Sequence, residues 1–286
     1  MRIISSIKQM SKFSQKIKRK SRTLGFVPTM GALHAGHLSL IRQARKENNI
    51  VVVSIFVNPI QFGPGEDFKK YPRMLKQDAK LCNGEGVDII FYPIANELYP
   101  SDYKTYVTVE GLSDCLCGKF RIGHFKGVAT VVTKLFNIVN PDIAYFGQKD
   151  AQQAIIIKKM AEDLNIPVKI KVMPTVREKD GLAMSSRNSY LNEKEIKDAI
   201  VLSRSLNLAE DLIKRGIKDT NKIIRSMRQL IQSKKTAQID YISIVDAVSL
   251  KPIKKITDNC LIALAVWIGK TRLIDNIIIS KGQFSD

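Results

Sequence analysis

Apolar, β-rich runs alternate with helix-like stretches from residue 23 to about residue 175, and this alternation restricts the fold more than any other feature of the chain. Residues 23–28 read as a strand, 37–48 as a helix, and 50–57 as a second, fully buried strand. Residues 73–85 read as a helix ended by Gly84 and Gly86, and 87–92 as a strand. A short run at 105–109 alternates its faces and reads as another strand. A helix over 128–139 is stopped by Asn140-Pro141, a strand follows at 142–146, then a helix at 151–164 and a strand at 168–173. Strands joined through helices must run parallel, and a parallel sheet is buried on both faces. The expected fold is therefore α/β: a Rossmann-like parallel sheet with helices on both faces. In such sheets ligands bind beyond the carboxyl ends of the strands, so the residues that follow each strand are where chemistry is to be sought.

After about Val176 the pattern changes. Residues 177–188 are polar, hold Gly181, and read as a mobile loop. Residues 193–216 and 220–233 are helical, with acidic residues near their starts and basic ones near their ends. Residues 239–245, 260–268 and 271–279 are strands, and Gly269-Lys270 between the last two suits a tight hairpin. Two domains are expected: a Rossmann-like one over 1–176, and a smaller C-terminal α+β lid domain over 177–286. A length of 286 residues accommodates them.

The basic first 22 residues lack the apolar core of a targeting peptide, because Met10, Ser11 and several lysines interrupt them. They read as an amphipathic first helix. No apolar run approaches the roughly 18 residues that cross a bilayer. Cys82, Cys115, Cys117 and Cys260 match no zinc spacing and read as reduced thiols of a cytoplasmic protein. The net charge of +19 raises the question of a nucleic-acid partner. The lysines, however, are spread along the whole chain, so the reading is a solvated basic surface with no nucleic-acid footprint.

The first strand leads through Pro28-Thr29-Met30-Gly31-Ala32-Leu33-His34-Ala35-Gly36-His37 into a helix. Two histidines three residues apart at a helix start lie on the same side, where backbone N–H groups and the helix dipole favour anions. Their imidazoles add donors aimed at phosphate oxygens, and Gly36 lets a nucleotide approach the backbone. Two satisfied histidines are the plain alternative; zinc lacks a third ligand. Further on, Met184-Ser185-Ser186-Arg187 offers two hydroxyls, their amides and a guanidinium, the makings of a phosphate clamp. The second strand ends in Phe56-Val57-Asn58-Pro59-Ile60-Gln61-Phe62-Gly63. A later one ends in Tyr145-Phe146-Gly147-Gln148-Lys149-Asp150-Ala151-Gln152-Gln153. Gln61, Lys149, Asp150 and Gln153 should thus converge near the histidines, and a glutamine reads hydroxyls and carboxylates without adding charge.

The H-x-G-H and Ser-Ser-Arg segments, roughly 150 residues apart, mark the nucleotidyltransferase superfamily with two dispersed phosphate-binding motifs. Over essentially its whole length the chain resembles, more narrowly, the pantothenate synthetase (pantoate–β-alanine ligase) family. The matching segments are residues 28–37, 56–62, 123–128, 145–153 and 184–188, in the family's order and spacing. Two departures stand out: many relatives have Glu at Gln148 and Pro at Ile122.

The resemblance implies condensation of (R)-pantoate with β-alanine to pantothenate through a pantoyl-adenylate, with release of AMP and pyrophosphate. It implies ATP contacts from Met30, Gly31, Ala32, Leu33, His34, Ala35, Gly36 and His37, from Gly147, Gln148, Lys149 and Asp150, and from Val176, Met184, Ser185, Ser186 and Arg187. It implies pantoate contacts from Gln61 and Gln153, β-alanine entry at Gln61, and His37 as proton donor with His34 and Lys149 beside it. Mg²⁺ accompanies the phosphates, with no protein ligand identified, and the expected assembly is a homodimer. Arg121 and His124 are placed near the site, and a cap on a helix starting near Lys126 is an equal reading of His124. The alternative function is an H-x-G-H nucleotidyltransferase acting on another small substrate.

Overall fold

A computed structural model describes residues 1–280. Its elements in chain order are β1 (Arg2–Ile4), α1 (Ile7–Lys18), β2 (Leu24–Thr29), α2 (Ala35–Glu47), β3 (Ile50–Ile55), α3 (Leu75–Gly84), β4 (Ile89–Phe91), the one-turn α4 (Ala95–Leu98) and α5 (Cys117–Phe120), α6 (His124–Val139), β5 (Ile143–Gly147), α7 (Ala151–Asp163) and β6 (Lys169–Met173). Then follow α8 (Glu193–Ala199), α9 (Val201–Lys214), α10 (Thr220–Gln232), β7 (Ala237–Asp246), β8 (Asn259–Ile268) and β9 (Thr271–Ser280). The chain divides into two compact units. The first holds residues 1–113, 121–148 and 152–174; the second holds 114–120, 149–151 and the chain from Thr175 onward.

The first unit is built on a six-stranded sheet in the order β1-β4-β3-β2-β5-β6, parallel at every pairing. Every residue of β3 is buried, which suits a central strand of Ile and Val covered by helices on both faces. From β2 the chain steps outward through β3 to β4, then returns to β5 on the other flank of β2. The carboxyl ends of β3, β2 and β5 therefore stand side by side where the strand order reverses, the place where such sheets hold ligands.

Two expectations need correction here. Residues 105–109 form no strand; the Val107 N–H donates instead to Thr130 Oγ1 on α6 at 3.0 Å. A side chain meets the donor that a neighbouring strand would otherwise take. The edge strand β1 was not expected: it is three residues long, and its pairing partner β4 is remote in sequence.

The second unit packs α8, α9 and α10 with the antiparallel sheet β7-β8-β9. The single helix expected over 193–216 is interrupted at Ile200, which keeps helical angles (φ −56°, ψ −25°). Asn192 and Glu195 close a reciprocal cap at the start of α8. The hairpin at Gly269-Lys270 is a two-residue connection, with Ile268 paired to Thr271 and Gly269 at φ 57°. Among the described residues no helix is long and apolar enough to cross a membrane, and none of the four cysteines is in a disulfide.

Candidate active site

The chain leaves the sheet after β2 through a left-handed turn. Thr29 Oγ1 donates to the Ser54 carbonyl at 2.8 Å and accepts the Gly31 N–H at 3.1 Å. Gly31 (φ 85°) and Ala32 (φ 51°) then reverse the backbone, the second at a real cost for a residue with a side chain. The Ala32 and Leu33 amides both donate to one carboxylate, Asp78 of α3, at 3.0 and 2.8 Å. Asp78 is 1 % exposed. Burial pushes its carboxyl up from the ordinary range, and the two amides pull the other way.

Asp78 escaped the sequence reading, although one signal was present. It lies between Leu75 and Cys82 on the buried stripe of α3, where an acid must have buried partners. Because its two oxygens hold the Ala32 and Leu33 amides, any nucleotide contact of those residues goes through other atoms. Asp78→Asn would keep one acceptor and turn an NH₂ against the other amide. We expect it to cost about 1–3 kcal/mol, the penalty for an unsatisfied buried donor. Urea unfolding would show this as a lower midpoint, and turnover should fall with it; an unchanged midpoint would show that the turn holds without the carboxylate.

The two histidines cap α2 reciprocally. His34 is the N-cap, and its Nδ1 accepts the Gly36 N–H at 3.2 Å, while His37 Nδ1 accepts the His34 N–H at 3.4 Å. A peptide N–H can only donate, so both Nδ1 atoms are bare and the ring protons sit on Nε2. The ring centroids are 4.1 Å apart. The start of α2 thus carries two imidazoles in the Nε2–H form, at the positive end of a helix dipole.

Gln61 ends a 3-10 turn (Pro59–Gln61) after β3 and is 7 % exposed. Asn58 Nδ2 donates to Gln61 Oε1 at 3.0 Å and to the Gly127 carbonyl at 3.1 Å, and Asn58 Oδ1 accepts from Tyr99 OH at 2.9 Å. With its carbonyl occupied, Gln61 directs its amide nitrogen at Met30 Sδ, 3.3 Å away. A thioether is a weak acceptor, so the NH₂ is the end Gln61 can offer a ligand. Met30 belongs to the histidine loop, and this contact joins the loops after β2 and β3.

At the end of β5, Gly147 runs into a 3-10 turn (Gln148–Asp150) and then α7. Gln152 is buried and donates to the Leu112 carbonyl at 2.9 Å. Gln153, the next residue of the helix, is half-buried. His124 does not cap a helix near Lys126, as one reading had it. It is the first residue of α6, whose cap is Gly123 at φ 79°, a left-handed angle suited to glycine.

In the second unit the Lys149 ammonium is 3.8 Å from Asp150 Oδ2, and the Lys149 carbonyl accepts from Asn276 Nδ2 at 2.9 Å. The segment carrying Met184 to Arg187 is tied at its base. Arg177 donates twice to Asp275 at 2.6 and 3.0 Å, and the Met184 N–H meets the Val176 carbonyl at 3.0 Å. Ser185 Oγ accepts the Arg187 N–H at 3.2 Å, which leaves its own hydroxyl proton to donate. Among the described residues no three His, Cys, Asp or Glu side chains gather as a metal site.

Comparison with known proteins identifies the family. The family model for pantoate-β-alanine ligase matches residues 2–278. Pantothenate synthetase of Caldicellulosiruptor saccharolyticus is 55 % identical over 279 residues, covering 98 % of this chain and 99 % of the relative. That of Heliobacterium modesticaldum is also 55 % identical, with the same coverage. The crystal structure of pantothenate synthetase from Thermus thermophilus superposes with a TM-score of 0.93 at 42 % identity, over 98 % of this chain and 100 % of that one. Pantoate-beta-alanine ligase from Francisella tularensis, complexed with beta-gamma ATP and beta-alanine, gives 0.80 at 36 % identity over 99 % of each chain. With matches of this extent and identity, the chain belongs to the pantoate–β-alanine ligase family.

Proposed function

We propose that this ligase condenses (R)-pantoate with β-alanine in two steps, with the Nε2–H groups of His34 and His37 as the phosphate donors of the first. The observation that carries the assignment of roles is the reciprocal cap, which fixes both rings as Nε2 donors at a helix N-terminus. In the first step a pantoate carboxylate oxygen attacks the α-phosphorus of ATP. The bond to the bridging oxygen breaks, and pyrophosphate leaves. In the second, the β-alanine amine attacks the acyl carbon of pantoyl-adenylate, AMP leaves, and the nitrogen sheds its proton.

The first step gathers charge on phosphate oxygens, so catalysis is positioning and electrostatics. His37 serves as proton donor to the phosphates, with His34 beside it. Lys149 and the Ser185, Ser186 and Arg187 donors are assigned to the same phosphates, and Gly147, Gln148, Val176 and Met184 to the rest of the nucleotide. Gln61 offers its NH₂ to the acid, and Gln153 is its partner in pantoate recognition; the amine also enters at Gln61.

Mg²⁺ fits as an ion held mainly by triphosphate oxygens and water, the usual mode for this cation, with Asp150 as the carboxylate of the phosphate-binding turn. When bound, it neutralises charge on the leaving pyrophosphate. The family resemblance also supports a homodimer, and cysteines outside disulfides suit a cytoplasmic setting. A nucleotidyltransferase acting on another small substrate is not favoured, since the family match spans nearly the whole chain.

The test is product stoichiometry. AMP should accumulate when ATP, Mg²⁺, pantoate and β-alanine are all present, and pantoate alone should support exchange of pyrophosphate into ATP. Turnover of a phosphorylated alcohol with a nucleoside triphosphate, in the absence of pantoate, would favour the transferase instead.

A further inference from the structure

The turn that carries Gln61 is weakly held by its own backbone. The Gln61 N–H reaches the Asn58 carbonyl at 3.5 Å and the Phe62 N–H reaches that of Pro59 at 3.4 Å, both at the long limit of a hydrogen bond. Its carbonyl is held from outside. His124 Nδ1 lies 2.8 Å from the Gln61 oxygen, and His124 Nε2 lies 2.9 Å from Arg121 Nη1. The remaining edge of Arg121 is clamped on Glu66, Nε to Oε1 at 2.8 Å and Nη2 to Oε2 at 2.6 Å. This is the bidentate geometry that fixes a guanidinium in plane. The two side chains are 15 % and 24 % exposed.

Two elementary facts set the state of the ring. A carbonyl cannot donate and a guanidinium cannot accept. His124 is therefore neutral with its proton on Nδ1, the opposite tautomer from His34 and His37. The contacts also close a circle. They run from the Gln61 carbonyl through His124 and Arg121 to Glu66, five residues further along the same loop, and so pin both ends of that segment.

We propose that Glu66, Arg121 and His124 form a positioning relay, in which Nδ1-protonated His124 holds the Gln61 carbonyl and so fixes the side-chain amide that meets the acid substrate. The proposal rests on the reading of Gln61 as a pantoate contact. None of the three is assigned contact with the reacting atoms; they act through Gln61.

The chain has three histidines, which makes the tautomers directly readable. Long-range ¹H–¹⁵N correlation on histidine-labelled protein at neutral pH should show two rings of the Nε2–H type and one of the Nδ1–H type. The last should vanish in His124→Asn. An Nε2–H or doubly protonated His124 in the wild-type protein would overturn the relay.

Kinetics supply the second arm. His124→Ala should raise KM for pantoate about tenfold, as loss of one buried hydrogen bond does, with KM for ATP unchanged. His124→Asn, whose Nδ2–H can occupy the place of Nδ1–H, should restore the wild-type value. Arg121→Ala should resemble His124→Ala. Equal losses for ATP and pantoate, unrescued by asparagine, would reduce His124 to a packing residue and overturn the proposal. Gln61→Ala separates the two levels. If it raises the pantoate KM and His124→Ala does not, the relay is wrong; if Gln61→Ala itself leaves pantoate KM unchanged, the assignment of Gln61 to the acid fails, while the tautomer pattern still judges the relay.

Discussion

His37→Ala should lower kcat by about 10²–10³-fold, the usual loss when one preorganised donor to a developing anion is removed. On the proposed role the defect should lie in adenylate formation, because pyrophosphate is gone before the amine attacks. Stability should change little. The reciprocal cap would lose the bond from the His34 N–H to His37 Nδ1, and a lost cap contact costs about 1 kcal/mol. Single-turnover measurement of adenylate formation, beside a thermal melt, separates these effects. Near-normal adenylate formation in His37→Ala would move phosphate donation to His34 and Lys149. A collapse of the melting temperature would show instead that the histidine holds the fold.

Gly127→Ala should be the most damaging single methyl group in the first unit. A Cβ there would stand 2.4 Å from the Ile60 carbonyl oxygen and 2.6 and 2.7 Å from Gln61 Cα and N. These are backbone atoms of the turn, so no flexible side chain can step aside. Alanine is otherwise the better helix former, so the sign is decided by the collision. Overpacking of this kind costs about 1–3 kcal/mol, a fall in melting temperature of roughly 2–12 °C for a chain of this size. Because the displaced atoms carry Gln61, KM for pantoate should rise at least about tenfold, with ATP binding spared. Titration of each ligand into the variant measures this. Unchanged pantoate affinity would show that α6 yields and the turn does not.

Much of the framework was legible because its signals are local. The Ile50–Ile55 strand shows itself as a β-branched run interrupted only at Ser54, and α2 as an apolar stripe that begins beside two histidines and a glycine. The Gly269-Lys270 hairpin is written in two residues. The failures share one cause. Residues 105–109 alternate like a strand, yet Thr130 of a distant helix takes the amide of Val107. The strand β1 is three residues long and exists through its pairing with β4. Periodicity reports which face of a segment is apolar; it does not report which partner arrives.

The site divides along the same line. By itself the sequence determined the chemical inventory. It put two histidines at the end of β2, a glutamine after β3, a lysine after β5 and a Ser-Ser-Arg segment beyond, in an order that identified the family. Only the tertiary structure decided what those groups are bound to, and hence what state they are in. Asp78 reaches the Leu33 amide across 45 residues of sequence, and His124 reaches the Gln61 carbonyl across 63. Those long-range contacts fix the turn before α2 and give His124 the tautomer opposite to the one that local caps give His34 and His37. The nearby Asn58 amide, by occupying Gln61 Oε1, leaves Gln61 its amide nitrogen as the end to offer. A hydrogen bond needs donor and acceptor within about 3 Å and in line, a condition that spacing along the chain cannot state.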